Sequence, residues 1–171
     1  MRHRRVTTKR FEALFAYSPS GLCYLAVDGS GEALERWCRA HLPGYEVVHD
    51  RSLAPDLAAD LKAFARGREA AFDVRLDLRG TAFQLEVWRE LRRIPRGRTR
   101  SYGEVAARIG RPTAVRAVGG ANARNPVALV VPSHRVVGGG GLDAFAYAGT
   151  LGSADRKREF LELEGALVEC E

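Results

Sequence analysis

The chain has 171 residues, 46% of them apolar, which suits one domain of ordinary size or two small ones sharing an interface. No apolar run approaches the ~20 residues needed to cross a bilayer, and the basic N-terminus MRHRRVTTKRF lacks the apolar segment of a secretory signal, so no membrane association is expected. Cys23, Cys38 and Cys170 are odd in number and too widely spaced for a zinc or redox motif, so no metal site is expected and a reduced, cytoplasmic setting is.

The first part of the chain alternates between strand and helix signals. GLCYLAVDG reads as a strand ending at a glycine turn, SGEALERWCRAHL carries apolar residues at helical spacing, and YEVVHD is a short strand. APDLAADLKAFARG reads as an amphipathic helix closed by Gly67, and AFDVRLDLRG alternates as a half-buried strand does. These elements predict a small α/β domain over residues 1–80.

After Gly80 the texture becomes helical, predicting a mainly α domain over residues 81–171. TAFQLEVWRELRRI puts Phe83, Val87, Leu91 and Ile94 on one face, and PRGRTR breaks it. SYGEVAARIG opens with Ser101 and Glu104 at capping-box spacing and ends at Gly110. RPTAVRAVGGANARN follows, with Thr113 as the expected N-cap and Pro126 forbidding continuation. Two short helices joined by GRPT are a helix-turn-helix signal, although many such pairs bind nothing.

Charge adds weight to that signal. Between Arg89 and Arg124 there are ten arginines against Glu90 and Glu104, within a chain of net charge +6. Such concentration is the electrostatic footprint of a polyanion partner, the plain alternative being an arginine-rich solvated face. Gly119 and Gly120 each cost ~1 kcal/mol in a helix interior. They fit either close approach of a nucleic-acid strand or tight packing on the preceding helix. The last stretch, SADRKREFLELEGAL, reads as an amphipathic helix ended by Gly165, and the run Gly138–Gly141 as a turn.

The run from Gly80 through NPVALVVPSHRVV to Val137 resembles the C-terminal domain of the O6-alkylguanine-DNA alkyltransferases. Tyr147-Ala148-Gly149 and LELEG match more loosely. The family's motif reads Pro-Cys-His-Arg-Val, and its cysteine accepts the alkyl group; this chain has Ser133 there. The loop GGGGLDAFAYAGT also departs from the family's Gly-Tyr-Ala-Gly-Gly, and the stretch from Tyr147 to Glu164 is longer than the family pattern.

The resemblance implies a catalytic set of Ser133, His134, Glu164 and Asn125. His134 acts through a water as base, Glu164 orients it, and Asn125 braces the preceding turn. It implies Tyr102, Arg116, Gly119, Asn122 and Arg124 at the DNA. Tyr102 presses on the target phosphate and Arg116 fills the space left by the extruded nucleotide. Pro132, Val136 and Tyr147 shape the pocket for the flipped base. The implied partner is duplex DNA carrying an alkylated guanine, with no cofactor and a monomeric protein.

A serine hydroxyl is far less acidic than a thiol and a poorer nucleophile toward an alkyl carbon, so alkyl transfer is expected to be absent. The chain then reads as a damage-sensing alkyltransferase-like protein marking lesions for nucleotide excision repair. The alternative is a methyltransferase inactivated by a cysteine-to-serine change. Readings of other classes are a helix-turn-helix regulator without lesion recognition, and a Ser-His hydrolase. The hydrolase reading lacks a G-x-S-x-G elbow.

Overall fold

Near-continuous apolar runs over residues 13–17 and 22–27, buried on both faces, build the centre of a four-stranded sheet. The computed structural model describes residues 1–138 and 153–166; Tyr147, Ala148, Gly149, Cys170 and the glycine run beyond Gly138 lie outside the described residues. Strands β1 (Arg2–Thr7), β2 (Glu12–Ser18) and β3 (Gly21–Val27) pair antiparallel in sequence, and β4 (Val48–His49) adds to β1 in parallel, giving the order β3-β2-β1-β4. Register sets Phe15 beside Leu25 and Ala13 beside Val27.

The two faces of the sheet bury different partners. Leu14, Ala16, Cys23, Tyr24 and Ala26 pack with Leu34, Cys38 and Leu42 of and just beyond helix α1 (Gly31–His41). Ala13, Phe15, Leu25 and Val27 join the main core with Leu57, Leu61 and Phe64 of α2 (Pro55–Phe64). That same cluster continues into Val87, Trp88, Val105, Val118 and Phe160, so the sheet and the helical part share one core. Fully burying each such side chain is worth ~1.5–3 kcal/mol, which makes this contact the main bond between the two parts.

The reading of residues 71–80 as a strand is corrected by the structure. Only Leu76 bridges to Leu22, through Leu22 N–H donating to the Arg75 carbonyl (2.8 Å) and Asp77 N–H to the Leu22 carbonyl (2.9 Å). The extended run is interrupted at Phe72, whose φ of +47° breaks the pleat and whose N–H is taken by the Asp60 carboxylate at 2.9 Å. Gly21 permits the close pass: its φ is +148°, and a Cβ there would lie 2.5 Å from the Arg75 carbonyl oxygen.

The helical part follows its caps closely. Helix α3 (Ala82–Leu91) starts at a Thr81–Gln84 capping box and buries Val87, Trp88 and Leu91, with Ile94 just beyond. Strand β5 (Arg100–Ser101) leads into α4 (Tyr102–Arg108), where the Ser101–Glu104 capping box is formed as its spacing requires. Gly110 (φ +72°) ends α4, and α5 (Val115–Ala123) packs against it as the second helix of a helix-turn-helix.

Thr113 does not cap α5; that expectation was wrong. The N-cap is Ala114 and no side chain caps it, because the turn is closed by Ala114 N–H on the Arg111 carbonyl at 2.9 Å, leaving Thr113 inside the turn. A 3-10 turn at Ser133–Arg135 then leads into β6 (Val136–Val137), parallel to β5. Helix α6 (Ala154–Leu163), followed by Gly165 at φ +71°, lies on that turn. Among the described residues no helix is long and apolar enough to cross a membrane.

Candidate nucleic-acid interface and reactive site

The loop from Asn125 to Ser133 is held at both ends. Leu25 of β3 donates its N–H to the Pro126 carbonyl (2.8 Å) and accepts from Ala128 N–H (2.9 Å), so the loop hangs from the sheet edge. Asn125 is fully buried; its Oδ1 accepts from Val127 N–H at 3.0 Å and its Nδ2 donates to the Val131 carbonyl at 2.8 Å. It thus ties the loop's entry to its exit, with Leu129 (φ +68°) at the reversal between. Ser133 N–H donates to the same Val131 carbonyl at 2.8 Å, which fixes the serine's position relative to Asn125.

His134 and Glu164, which the family resemblance pairs, meet although thirty positions separate them. Nε2 of His134 lies 3.0 Å from Oε1 of Glu164, and both side chains are buried. Arg135 completes the group: its Nε and a terminal nitrogen donate to the two Glu164 oxygens at 2.9 and 2.7 Å, and its other terminal nitrogen to the Ile94 carbonyl at 2.6 Å. Burial would raise the Glu164 carboxyl, but the bonds from His134 and Arg135 overcome it and bring the pKa down to about 2.

The imidazole sits edge-on to Phe64 (6.1 Å) and Phe160 (5.8 Å). That apolar burial lowers the His134 pKa despite the opposing pull of Glu164. A neutral ring whose Nε2 proton is given to a carboxylate leaves Nδ1 as a lone pair, and Nδ1 is buried with no hydrogen bond among the described residues. The ring is therefore set up as a base, on the turn that carries Ser133.

Tyr102, Asn122 and Ser133 form a second line of contact. Nδ2 of Asn122 is 3.4 Å from both the Tyr102 hydroxyl and the Ser133 carbonyl, and all three residues are buried. Asn122 thus lies inside the protein, linking the start of α4 to the serine, rather than on the outer face of α5. A Cβ on Gly119 would lie 3.9 Å from the Tyr102 ring, an ordinary contact, so packing alone does not demand a glycine there. Gly120 is tighter, with its Cβ position 3.0 Å from the Arg124 guanidinium, which itself donates to the Gly120 carbonyl. Pro132 and Val136 flank the serine turn and are buried; Tyr147, the third pocket residue, is outside the described residues.

The arginine-rich segment is less free than its composition suggests. Glu90, almost wholly buried, gathers Arg93 (3.0 Å), Arg100 (2.7 Å) and Arg108 (2.6 Å), and Glu86 takes Arg111 (3.3 Å). Arg96 donates to the carbonyls of Gly67, Arg68 and Leu163. Arg89, Arg92, Arg98 and Arg116 are exposed and make no ion pair among the described residues. Of these Arg116 stands in the first turn of α5, the helix that a helix-turn-helix lays in the major groove.

Three residues of this region escape a reading of the sequence. Among the described residues Arg135 pairs only with residues distant in sequence, and Glu90 reaches Arg100 and Arg108 as well as its i,i+3 neighbour Arg93. Lys157 lies 5.7 Å above the Tyr102 ring centroid, 4% exposed, and burial pushes its ammonium down to about 8. Its signal was available: Lys157 shares the 157, 160, 161, 164 stripe of α6 with Phe160, Leu161 and Glu164, the buried face. Among the described residues no three His, Cys, Asp or Glu side chains gather to hold a metal ion.

A sequence profile described as 6-O-methylguanine DNA methyltransferase, DNA binding domain, matches residues 82–166. The methylated-DNA–protein-cysteine methyltransferase of Mycobacterium bovis is 54% identical over 104 residues, which are 61% of this chain and 61% of that protein. The match thus spans less than two thirds of that relative's length. The protein of the same name from Methanosarcina acetivorans is 44% identical over 119 residues, 70% of this chain and 74% of the relative. In three dimensions the chain is similar to Mycobacterium tuberculosis OGT, whose crystal structure is in complex with DNA. The TM-score is 0.79 and the identity 38%, over 96% of this chain and 93% of that one.

Proposed function

The chain belongs to the 6-O-methylguanine DNA methyltransferase family, and we propose that it binds duplex DNA, extrudes an O6-alkylguanine and holds the base beside Ser133 without accepting its alkyl group. One observation supports the reading: the turn that carries Ser133 also carries His134, whose Nε2 lies 3.0 Å from buried Glu164 and whose Nδ1 is buried with no hydrogen bond among the described residues. A base of that strength draws a useful thiolate from a cysteine but not a useful alkoxide from a serine.

The geometry supports the binding steps. An alkylated guanine oxygen lies within the base stack, so it is reached only by extrusion, which costs a few kcal/mol. Arg116, exposed at the start of α5, would enter the duplex and offset part of that cost, and Gly119 lies against the buried Tyr102 ring between α4 and α5. A lesion held and not repaired leaves a persistent protein–DNA complex, the form that nucleotide excision repair proteins could find.

A second reading, a methyltransferase lacking only its nucleophile, is favoured by the intact Asn125, His134 and Glu164 contacts. Two measurements separate the readings. The protein is expected to bind O6-methylguanine duplex more tightly than the matched unmodified duplex; equal affinity at several salt concentrations returns it to a helix-turn-helix regulator. Ser133→Cys is then expected to become a single-turnover acceptor. Its sulfur attacks the methyl carbon, the C–O bond breaks toward the guanine oxygen, and the peptide containing residue 133 gains one methylene in mass. Transfer by the serine form would refute the acidity argument. A cysteine variant that binds lesions yet transfers nothing would show that the site has diverged beyond its nucleophile.

A further inference from the structure

The basic N-terminus has no role in the reading above, and the fold gives it a shape. Two adjoining clefts meet at Thr7. One, about 420 Å³, is lined by Arg4, Arg5, His49 and Arg51; the other, about 730 Å³, by Lys9, Arg10, Lys62 and Arg66. No carboxylate lines either. The strip runs from the β1–β4 edge of the sheet, past the β1–β2 turn, to the last turn of α2 and just beyond it, on segments remote in sequence from the helix-turn-helix.

Its cations fall into two groups. Arg4 is anchored on the Leu53 carbonyl, Arg5 on Glu12, and Arg10 on the Ala65 carbonyl and Glu159, so these three are held in place by the fold. Lys9, Arg51, Lys62 and Arg66 are exposed and make no ion pair among the described residues. These four like charges, without ion-pair partners among the described residues, repel one another, so the arrangement favours an anion laid along them. The lining offers no aromatic face for stacking a base apart from His49, and no large apolar side chain to receive a lipid tail, which leaves a phosphate backbone as the matching ligand.

We propose that this strip is a second contact for the phosphate backbone of duplex DNA, separate from the helix-turn-helix; the proposal rests on the duplex-binding reading above. The backbone comes either from the flank of the duplex that the helix-turn-helix holds or from a second duplex.

The test uses the full chain carrying Lys9→Gln, Arg51→Gln, Lys62→Gln and Arg66→Gln, all exposed positions outside the base site. A control carries Arg36→Gln and Arg39→Gln on α1. Association with unmodified duplexes of about one and about three helical turns is measured against salt. If the strip meets the flank, the slope of log K against log salt is expected to weaken by roughly 3 to 4 on the long duplex only, at about 0.9 for each phosphate that is no longer neutralised, with the control nearly unchanged. If it meets a second duplex, the original protein brings donor- and acceptor-labelled duplexes together in an energy-transfer assay and the variant does not. Identical slopes on both duplexes with no bridging would overturn the proposal. So would a loss confined to anionic phospholipid vesicles, or a control that weakens equally per charge. If the unaltered protein fails to bind any duplex, the parent reading falls with it, whereas binding by the unaltered protein with unchanged variant slopes sinks this inference alone.

Discussion

Replacing Asn125 by alanine tests whether the loop carrying Ser133 is held by one side chain. Asn125 is wholly buried and its amide makes two bonds across the loop, accepting from Val127 N–H and donating to the Val131 carbonyl. The losses differ. The Val131 carbonyl keeps Ser133 N–H as a partner, so that bond costs about 1 kcal/mol. Val127 N–H loses its side-chain acceptor in a buried place, which costs about 1–3 kcal/mol. The expected destabilisation is therefore about 3 kcal/mol, read as a lower urea midpoint at unchanged m-value. Asn125→Asp separates the two bonds. It keeps the acceptor for Val127 but sets a carboxylate against the Val131 carbonyl, so its folded pKa rises above the unfolded value. A raised carboxyl pKa means that the variant is best placed below the unfolded value of ~3.9 and loses stability as pH rises through the folded one. The aspartate variant should thus lie closer to the unaltered protein at pH 4 than at pH 7. A loss below ~1 kcal/mol for Asn125→Ala, or a pH-independent gap for Asn125→Asp, would refute the bracing role.

Two further outcomes follow from the same site. Arg116→Ala is expected to weaken binding to O6-methylguanine duplex more than to intact duplex, and to abolish the fluorescence rise of a 2-aminopurine beside the lesion; equal weakening with flipping retained would reduce Arg116 to a phosphate contact. Glu164, held at about 2 by His134 and Arg135 against the raising effect of burial, contributes stability that is complete above its unfolded pKa near 4.5 and lost as pH falls toward 2. The stability gap between the unaltered protein and Glu164→Gln should therefore narrow on acidification in urea titrations, and a gap that widens would contradict the ion-pair account.

What could be read from the sequence was mostly local. The Ser101–Glu104 capping box, the stops at Gly110 and Gly165 and the apolar face of Val87, Leu91 and Ile94 depend on neighbours within a turn or two, and the structure keeps all of them. Strand β1 was not legible, because in RHRRVT only Val6 is buried and the rest of the alternation is cationic. The segment around Leu76 showed the opposite failure: its alternation is real, but a left-handed Phe72 spoils the strand.

Charge counting failed for a similar reason. Ten arginines near the helix-turn-helix looked like a free surface, yet Glu90 takes Arg93 at i,i+3 and also reaches Arg100 and Arg108, at spacings that no helical rule connects. At the site, the joining of His134 to Glu164 came from family resemblance and not from any local pattern. Arg135, which grips the same carboxylate, was hidden beside it.

The hydrogen bonds of Leu25 with Pro126 and Ala128 also bear on the order in which the molecule folds. Residues 25 and 126 meet only after most of the intervening chain has been closed into a loop, and the entropy of that closure must be met before the contact returns anything. The helices and the β2–β3 hairpin, whose contacts are local, can form first. The serine turn acquires its shape only when the sheet edge is already there to receive it, and His134 acquires its apolar surroundings only when Phe64 and Phe160 close over it. The contact of α4 with α5 is local by comparison, so the serine turn and the His134 ring depend on long-range closure in a way that the helix-turn-helix does not.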